Sequence, residues 1–531
     1  MKKIIIFSII VLTGLVSCEN KSFFELERPP QNPWLTLSEF ERAPIGAYSQ
    51  LFALGNFGNV YNYWYVLRNA VADDMANSPI YGDALDYGWY RDTENNKNAT
   101  NELFGVGFRA LASVNDALQF VEERDGNPYP TISADDRTYN LDRLTGELYF
   151  LRGFIYYMEA TVFCTPYAPG GANDERQIPL RTTRPSTDDN AVNPQQGSVH
   201  EKWTQIQSDF LQAYALLPER FVDGKMHASY QAGRANKFAA AAMLARTAFA
   251  MGNYAEAREY ATFVIERNGG DYDLSEDPIE AFNKSIPSCG REVIMWIPCY
   301  DKTFGRQNLH AALFNHSAGG APIGWSAFHM DYGTLRRIGW MDDARNDTTI
   351  NFAARRDKRF QQLIYVREPY DVPAEERIPD RYYETRSHLT YRTVVADKLN
   401  RGPEAGYTNY PQIRLAEMYL TRSICAFKAG DKQSAADDLN VVRKRAWDEA
   451  VAGQAYESSS HYVTAAGITE DMIHDERLIE LFAEGDRLDY LRGLKMDIGP
   501  GIREEAPLPY DSKKFVWSVP INEQNLNEAY Q

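Results

Sequence analysis

Apolar residues recur every three or four positions over long stretches of this chain, and that spacing commits it to a helix-rich fold. Leu141, Leu144, Leu148, Leu151, Ile155, Met158 and Val162 fall on one helical face. Val199, Trp203, Ile206, Phe210, Ala213 and Leu217 form a second stripe, opened by Ser198 and Glu201 at capping-box spacing. Leu103, Gly107, Ala110, Val114, Ala117 and Val121 form a third. Two further segments read as helical hairpins. Phe238, Ala241, Ala242, Ala245 and Phe249 line one helix, Gly252 stops it, and Asn253 caps a second helix lined by Tyr254, Ala257, Ala261 and Val264. Leu415, Met418, Tyr419 and Ala426 precede a Gly430-Asp431 break, after which Ala435, Leu439, Val442 and Ala446 repeat the pattern. Gly252 to Ala257 resembles the middle of a tetratricopeptide repeat, but long inserts separate the hairpins and rule out a plain solenoid.

The inserts, 56–98 and about 270–405, are rich in Gly, Pro, Asn, Tyr and Trp and carry weak helical periodicity. Within them only Arg291 to Pro298 reads as a short strand. Irregular segments held on a rigid scaffold are the usual carriers of function.

The N-terminus addresses location. Lys2 and Lys3 precede an apolar run from Ile4 to Val16, which ends on Leu15-Val16-Ser17-Cys18. This is a secretory signal, too short for a permanent span of about 20 residues. Leu-x-x-Cys with a small residue before the cut resembles a bacterial lipobox. On that reading residues 1–17 are removed, Cys18 is acylated (a palmitate-type anchor), and 18–35 is a linker. The plain alternative is an ordinary signal peptide that contains a cysteine.

A net charge of −17 and only short basic clusters, such as Arg355-Arg356-Asp357-Lys358-Arg359, argue against nucleic acid. Cys164, Cys289, Cys299 and Cys425 lack metal-ligand spacing and read as buried small hydrophobes, although Cys289 and Cys299 are close enough to bridge a hairpin. No cofactor or metal is expected. Gly105-Val-Gly-Phe-Arg-Ala110 lies inside a helical stripe, so its likeness to a dinucleotide fingerprint is coincidental. The pairs Asp73-Asp74 and Glu375-Glu376 have the composition of glycosidase acids but read better as solvated surface. No enzyme signature is left.

Aromatic residues stand out, with 33 Tyr, 26 Phe and 9 Trp, enough to ask where they cluster. Trp203, Trp296 and Trp447 fit packing roles, whereas Trp64, Trp89, Trp325 and Trp340 fall in the inserts. Exposed rings offer a flat apolar face to a pyranose, with Asn, Asp or Arg nearby for its hydroxyls. Trp89-Tyr90-Arg91-Asp92 followed by Asn95-Asn96 has that composition.

Several segments resemble one family, the SusD/RagB nutrient-binding lipoproteins. These are Phe23-Phe24-Glu25-Leu26 with Pro29-Pro30, Glu147 to Tyr157, and Gly233-Arg234-Ala235-Asn236-Lys237 through Tyr254. Arg414 to Leu420, Leu439 to Ala446, and Glu476-Arg477 through Leu491-Arg492 follow in family order, and Val519-Pro520-Ile521-Asn522-Glu523 closes the match. The residues after Cys18 are only mildly acidic, so the signal for surface display is weakly written. In 476–492 the spacing puts Glu480, Glu484 and Arg487 on successive helical turns, a scaffold-supporting arrangement.

The resemblance implies a mostly α, SusD-like fold with four tetratricopeptide-like helix pairs and loop-rich ligand-binding inserts. It divides the mature chain into an N-terminal part, 36–269, and a C-terminal part, 270–531. It implies a lipid-anchored outer-membrane protein, exposed at the cell surface, that binds oligosaccharides without catalysis. The partner implied is a SusC-like TonB-dependent transporter. No family motif fixes the ligand contacts; composition selects Asp73, Trp89, Tyr90, Asn95, Tyr300 and Trp325. Three alternatives stay open: the same fold binding peptides, a periplasmic tetratricopeptide adaptor, and a surface glycosidase.

Overall fold

The computed structural model describes residues 34–52, 60–77, 91, 93, 97–184, 195–282, 289–298, 328–341, 351–367, 393–398, 409–501, 503, 505–527 and 530. Counting helices of five or more residues, the order begins α1 (Arg42–Phe52), α2 (Val60–Val71), β1 (Met75–Asn77), α3 (Lys97–Glu122) and α4 (Arg143–Phe163). It continues with β2 (Arg176–Pro179), β3 (Gln196–Ser198), α5 (Val199–Leu216), α6 (Lys237–Ala250), α7 (Tyr254–Glu266), β4 (Val293–Ile297), β5 (Phe328–Met330) and α8 (Tyr332–Arg337). Then follow α9 (Lys358–Gln362), β6 (Ile364–Arg367), β7 (Thr393–Ala396), β8 (Tyr410–Arg414), α10 (Leu415–Lys428), α11 (Lys432–Ala446), α12 (Glu470–Leu481), α13 (Arg487–Gly493) and α14 (Ile521–Leu526).

The helices stack in chain order: α3 on α4, α4 on α5, α5 on α6, and onward through α7 and α10 to α11. All the residues of the first stripe are buried, but α4 is buried on nearly every face, not one. A helix enclosed by neighbours on all sides needs no solvent face. Three of its charged residues, Arg143, Glu147 and Arg152, are paired internally, whereas Glu159 has no ion pair among the described residues and burial raises its pKa well above the ordinary value. Arg152 bonds Asp209 of α5 at 2.7 Å, and Arg143, Glu147, Glu41 and Arg234 form a closed network. Gly153 permits the close approach of α5, since a Cβ there would lie 3.1 Å from that of Asp209.

The local signals act as the sequence implies. The Ser198–Glu201 capping box opens α5. Gly252 (φ +79°) and Gly430 (φ +80°) end helices in the left-handed region, and Asn253 and Asp431 cap the helices that follow. Arg258 of α7 pairs with Asp431 at 2.6 Å and ties the two hairpins together. Gly105 and Gly107 lie inside α3, as read.

Four antiparallel ribbons complete the described fold: β1–β5, β2–β3, β4–β8 and β6–β7. The segment 291–298 contains β4 as expected; its partner β8 leads directly into α10. The other strands are three to five residues long, too short for period-two alternation to register.

The structure corrects four readings. The insert 56–98 is not irregular throughout: 60–71 is α2, and Trp64 is a core residue whose Nε1 donates to Thr161 Oγ1 at 2.9 Å. Trp340 is also buried, edge-on to Phe360 and Phe482. Asp73-Asp74 is not a solvated surface, for Asp74 is 1% exposed. Finally, 476–492 is not one helix. It breaks between α12 and α13, where Ala483 (φ +57°) and Gly485 (φ +77°) turn the backbone left-handed. Cys289 is a free thiol, as are Cys164 and Cys425; Cys299 and Glu375-Glu376 lie outside the described residues.

Candidate functional site

Helix α2 joins the places where two ring-bearing stretches, 78–96 and 299–327, meet the described fold. At its C-terminal end the chain turns through Ala72-Asp73-Asp74 into β1, which pairs Met75 with Met330, Ala76 with His329 and Asn77 with Phe328. Asn77 and Phe328, the last residue of β1 and the first of β5, are thus held side by side. Tyr65, midway along α2, packs 6.4 Å from Tyr410, the register partner of Ile297 at the end of β4. The end of β4 at Ile297 is therefore tied to the same helix through Tyr410.

Arginines hold this support. Arg503 donates to the carbonyls of Ala70 (2.7 Å) and Ala72 (3.0 Å), satisfying the open end of α2. Arg91 donates to Val71 O (2.9 Å), to Gly499 O and to Glu505 (2.6 Å), with its guanidinium over the Phe515 ring. Arg91 also has φ +51°, a strained conformation that these bonds over-determine. Its cationic end is spent inside the scaffold and cannot serve sugar hydroxyls.

Asp73 sits beneath, bound at two points by Arg487 of α13, Nε to Oδ1 at 2.7 Å and Nη2 to Oδ2 at 3.1 Å. Burial alone would raise its pKa; the charges of Arg487, Arg337 and Arg91 outweigh that and hold it below the usual value. Asp74 differs. Burial, then repulsion from Asp73, pushes its carboxyl up to about 7. Its Oδ1 has no hydrogen-bond partner among the described residues, while its carbonyl accepts the Asp331 N–H at 2.8 Å. Asp331 caps α8 through Thr334 N at 2.8 Å. The arrangement fixes loop ends; it offers no nucleophile–base pair.

The charged motif 476–492 is likewise committed to the scaffold. Glu480 accepts from Arg414 (2.8 Å), Arg445 (2.6 Å) and Arg359 (3.0 Å), while Glu484 accepts from Arg414 (2.7 Å) and Lys398 (2.6 Å). Glu292 bonds Arg414 and Arg445 from below β4. Burial would raise Glu480, but Arg445, Arg414 and Arg359 reverse the shift and hold it well below the ordinary value. Carboxylates so neutralised are poor proton donors and have no free face for substrate.

Of the residues selected by sequence, Asp73 is engaged with Arg487, and Cys18, Trp89, Tyr90, Asn95, Tyr300 and Trp325 lie outside the described residues. Sequence reasoning missed Arg487, Arg503 and Glu505 as anchors. The first lies within the charged motif already noted, but nothing in a single sequence pairs it with Asp73. Among the described residues no group of three or more His, Cys, Asp or Glu could hold a metal, and no helix is long and apolar enough to cross a membrane.

Two family models match the chain. One, described as SusD family, matches residues 325–496; the other, described as starch-binding associating with outer membrane, matches 53–249. No curated protein matches. Among solved structures, a SusD superfamily protein from Bacteroides thetaiotaomicron is similar with a TM-score of 0.71 at 20% identity, covering 94% of this chain and 99% of that one. A sugar-binding protein of Bacteroides vulgatus, so described provisionally, gives 0.68 at 19% identity, covering 94% and 98%. A laminarin-binding SusD-like protein gives 0.64 at 18% identity, covering 92% and 98%. At such identities these likenesses carry the fold: mostly helical and SusD-like.

Proposed function

The chain belongs to the SusD family, and from that premise we propose that it binds oligosaccharides at the cell surface, without catalysis, and delivers them to a SusC-like TonB-dependent transporter. Cys18 is the lipid attachment point, residues 1–17 the removed signal, and 18–35 the tether to the outer membrane. The body comprises an N-terminal part, 36–269, and a C-terminal part, 270–531.

One observation carries this reading: Asn77, Phe328 and Ile297, the described residues that flank the ring-bearing sequences 78–96 and 299–327, are all tied to α2, through β1–β5 and through the Tyr65–Tyr410 contact. Trp89, Tyr90, Asn95, Tyr300 and Trp325 are the ligand contacts on this view, and Asp73 braces the scaffold at the end of α2. Stacked rings bind a pyranose through its C–H face, and such contacts need a rigid base to keep their spacing. The starch-binding description of the model matching 53–249 and the laminarin-binding relative both support a glycan as ligand. Asp73 and Glu480 are spent on arginines, which supports binding in place of hydrolysis.

The test is calorimetric titration of the intact protein against starch, laminarin, xylan, pectin, mucin and N-glycan fragments, with reducing ends assayed in parallel. Saturable heat from at least one glycan with no new reducing ends is expected. Silence across the panel, with bound peptide recovered by mass spectrometry, transfers the site to the peptide reading.

A further inference from the structure

A second cleft lies away from α2, between the segment 351–357, the end of α11 and α12. It has a volume of about 370 Å³, within the range of pockets that take small ligands. Most of its charge is internally matched. Arg443 pairs with Glu476 at 2.8 Å, and Arg359 with Asp357 (2.8 Å) and Glu476 (2.6 Å). Arg337 pairs with Asp475 at 2.9 Å.

Arg356 has no such match. Its Nε donates to Ala353 O at 3.0 Å, and its two terminal nitrogens donate to nothing among the described residues. Its guanidinium carbon lies 5.8 Å from the centre of the Trp447 ring, which leaves the fork free. His461 packs on the same indole, ring centres 5.2 Å apart, with neither ring nitrogen hydrogen-bonded among the described residues. The His461 pKa is lowered, by partial burial first and then by Arg443 and Arg356, the sign expected in a positive cleft. Asn351 spends its Oδ1 on Ala353 N and keeps its amide donors.

We propose that this cleft binds a carboxylated sugar, a hexuronate, its carboxylate held by the Arg356 fork and its hydroxyls by Asn351, His461 and Asp475. An unpaired guanidinium takes a carboxylate at two points. The cleft is far larger than acetate or sulfate needs, and its free groups suit both a carboxylate and hydroxyls. The groups proposed to hold the ligand are separate from the ring contacts proposed for α2, although Arg337, paired with Asp475 here, also adds its charge at Asp73.

D-glucuronate is titrated into the intact protein by NMR at low salt, with D-glucose, acetate and sulfate as comparisons. Saturable binding of glucuronate is expected, at least tenfold tighter than each comparison, weakening as salt is raised. Arg356→Gln is expected to lose at least tenfold in affinity and His461→Gln several-fold, both with unchanged melting temperature. No glucuronate binding, unchanged affinity in both variants, or equal affinity for acetate or sulfate overturns the assignment.

Discussion

Asp73 and Arg487 lie 414 residues apart in sequence and meet in a buried, two-point ion pair that closes the end of α2 onto α13. Removing one member of a buried pair leaves the other uncompensated. Arg487→Ala should therefore cost about 3–5 kcal/mol in urea unfolding. Replacing both residues, as Asp73→Asn with Arg487→Met, should recover most of that loss. Equal stability of the single variant and the parent would show that the pair does not hold the platform.

Asp74 gives the platform a pH dependence. Its folded pKa of about 7 exceeds the ordinary 3.8, so between those values the folded chain holds a proton that the unfolded chain has lost. Stability from this group is intact below about pH 4 and falls as pH rises towards 7. Asp74→Asn removes the cost of ionising there. The variant should be more stable than the parent at pH 8, on the order of 2–4 kcal/mol, and equal to it at pH 4. Thermal melts at the two pH values read the difference.

His474 acts with the opposite slope. Its Nδ1 lies 2.7 Å from the Tyr490 hydroxyl, and burial holds its pKa down to about 4 despite Glu470 at 3.4 Å. The unfolded chain takes up a proton near pH 6.5 while the folded chain refuses it, so stability drops as pH falls from about 6.5 towards 4. His474→Gln should flatten that acid limb by ~2 kcal/mol. An unchanged acid limb would mean that another group governs it.

Trp64 and Trp89 should separate packing from binding. Trp64 is buried against Tyr65, Phe154 and Tyr157 and bonded to Thr161, so Trp64→Ala should cost about 3–5 kcal/mol in denaturant unfolding. A stable Trp64→Ala protein would contradict its place in the core.

Sequence alone reveals those features of this molecule that depend on neighbours in the chain. The α4 stripe, the Ser198–Glu201 box and the Gly-Asn and Gly-Asp breaks all act within a few residues, and each is present in the fold. Helix α2 was obscured because it is short and lies in an aromatic-rich stretch, although Val60, Trp64, Leu67 and Val71 fall at helical spacing. The break after Leu481 was marked by Gly485, whose added Cβ would lie 2.5 Å from the Tyr65 ring, but the regular charge spacing masked it. The platform was out of reach for another reason. Its defining bonds, Asp73–Arg487, Arg91–Glu505 and Arg503–Ala70, join residues more than four hundred positions apart. The ring-rich composition pointed to segments that leave this platform, while the arginines beneath them carry no local signature.

The most direct test compares the parent with the Trp89→Ala/Trp325→Ala double variant, titrated calorimetrically with whichever oligosaccharide the parent binds. The account predicts at least a tenfold loss of affinity at unchanged melting temperature. Full affinity in the folded double variant would contradict it, since sugar would then be gripped by something other than these two rings.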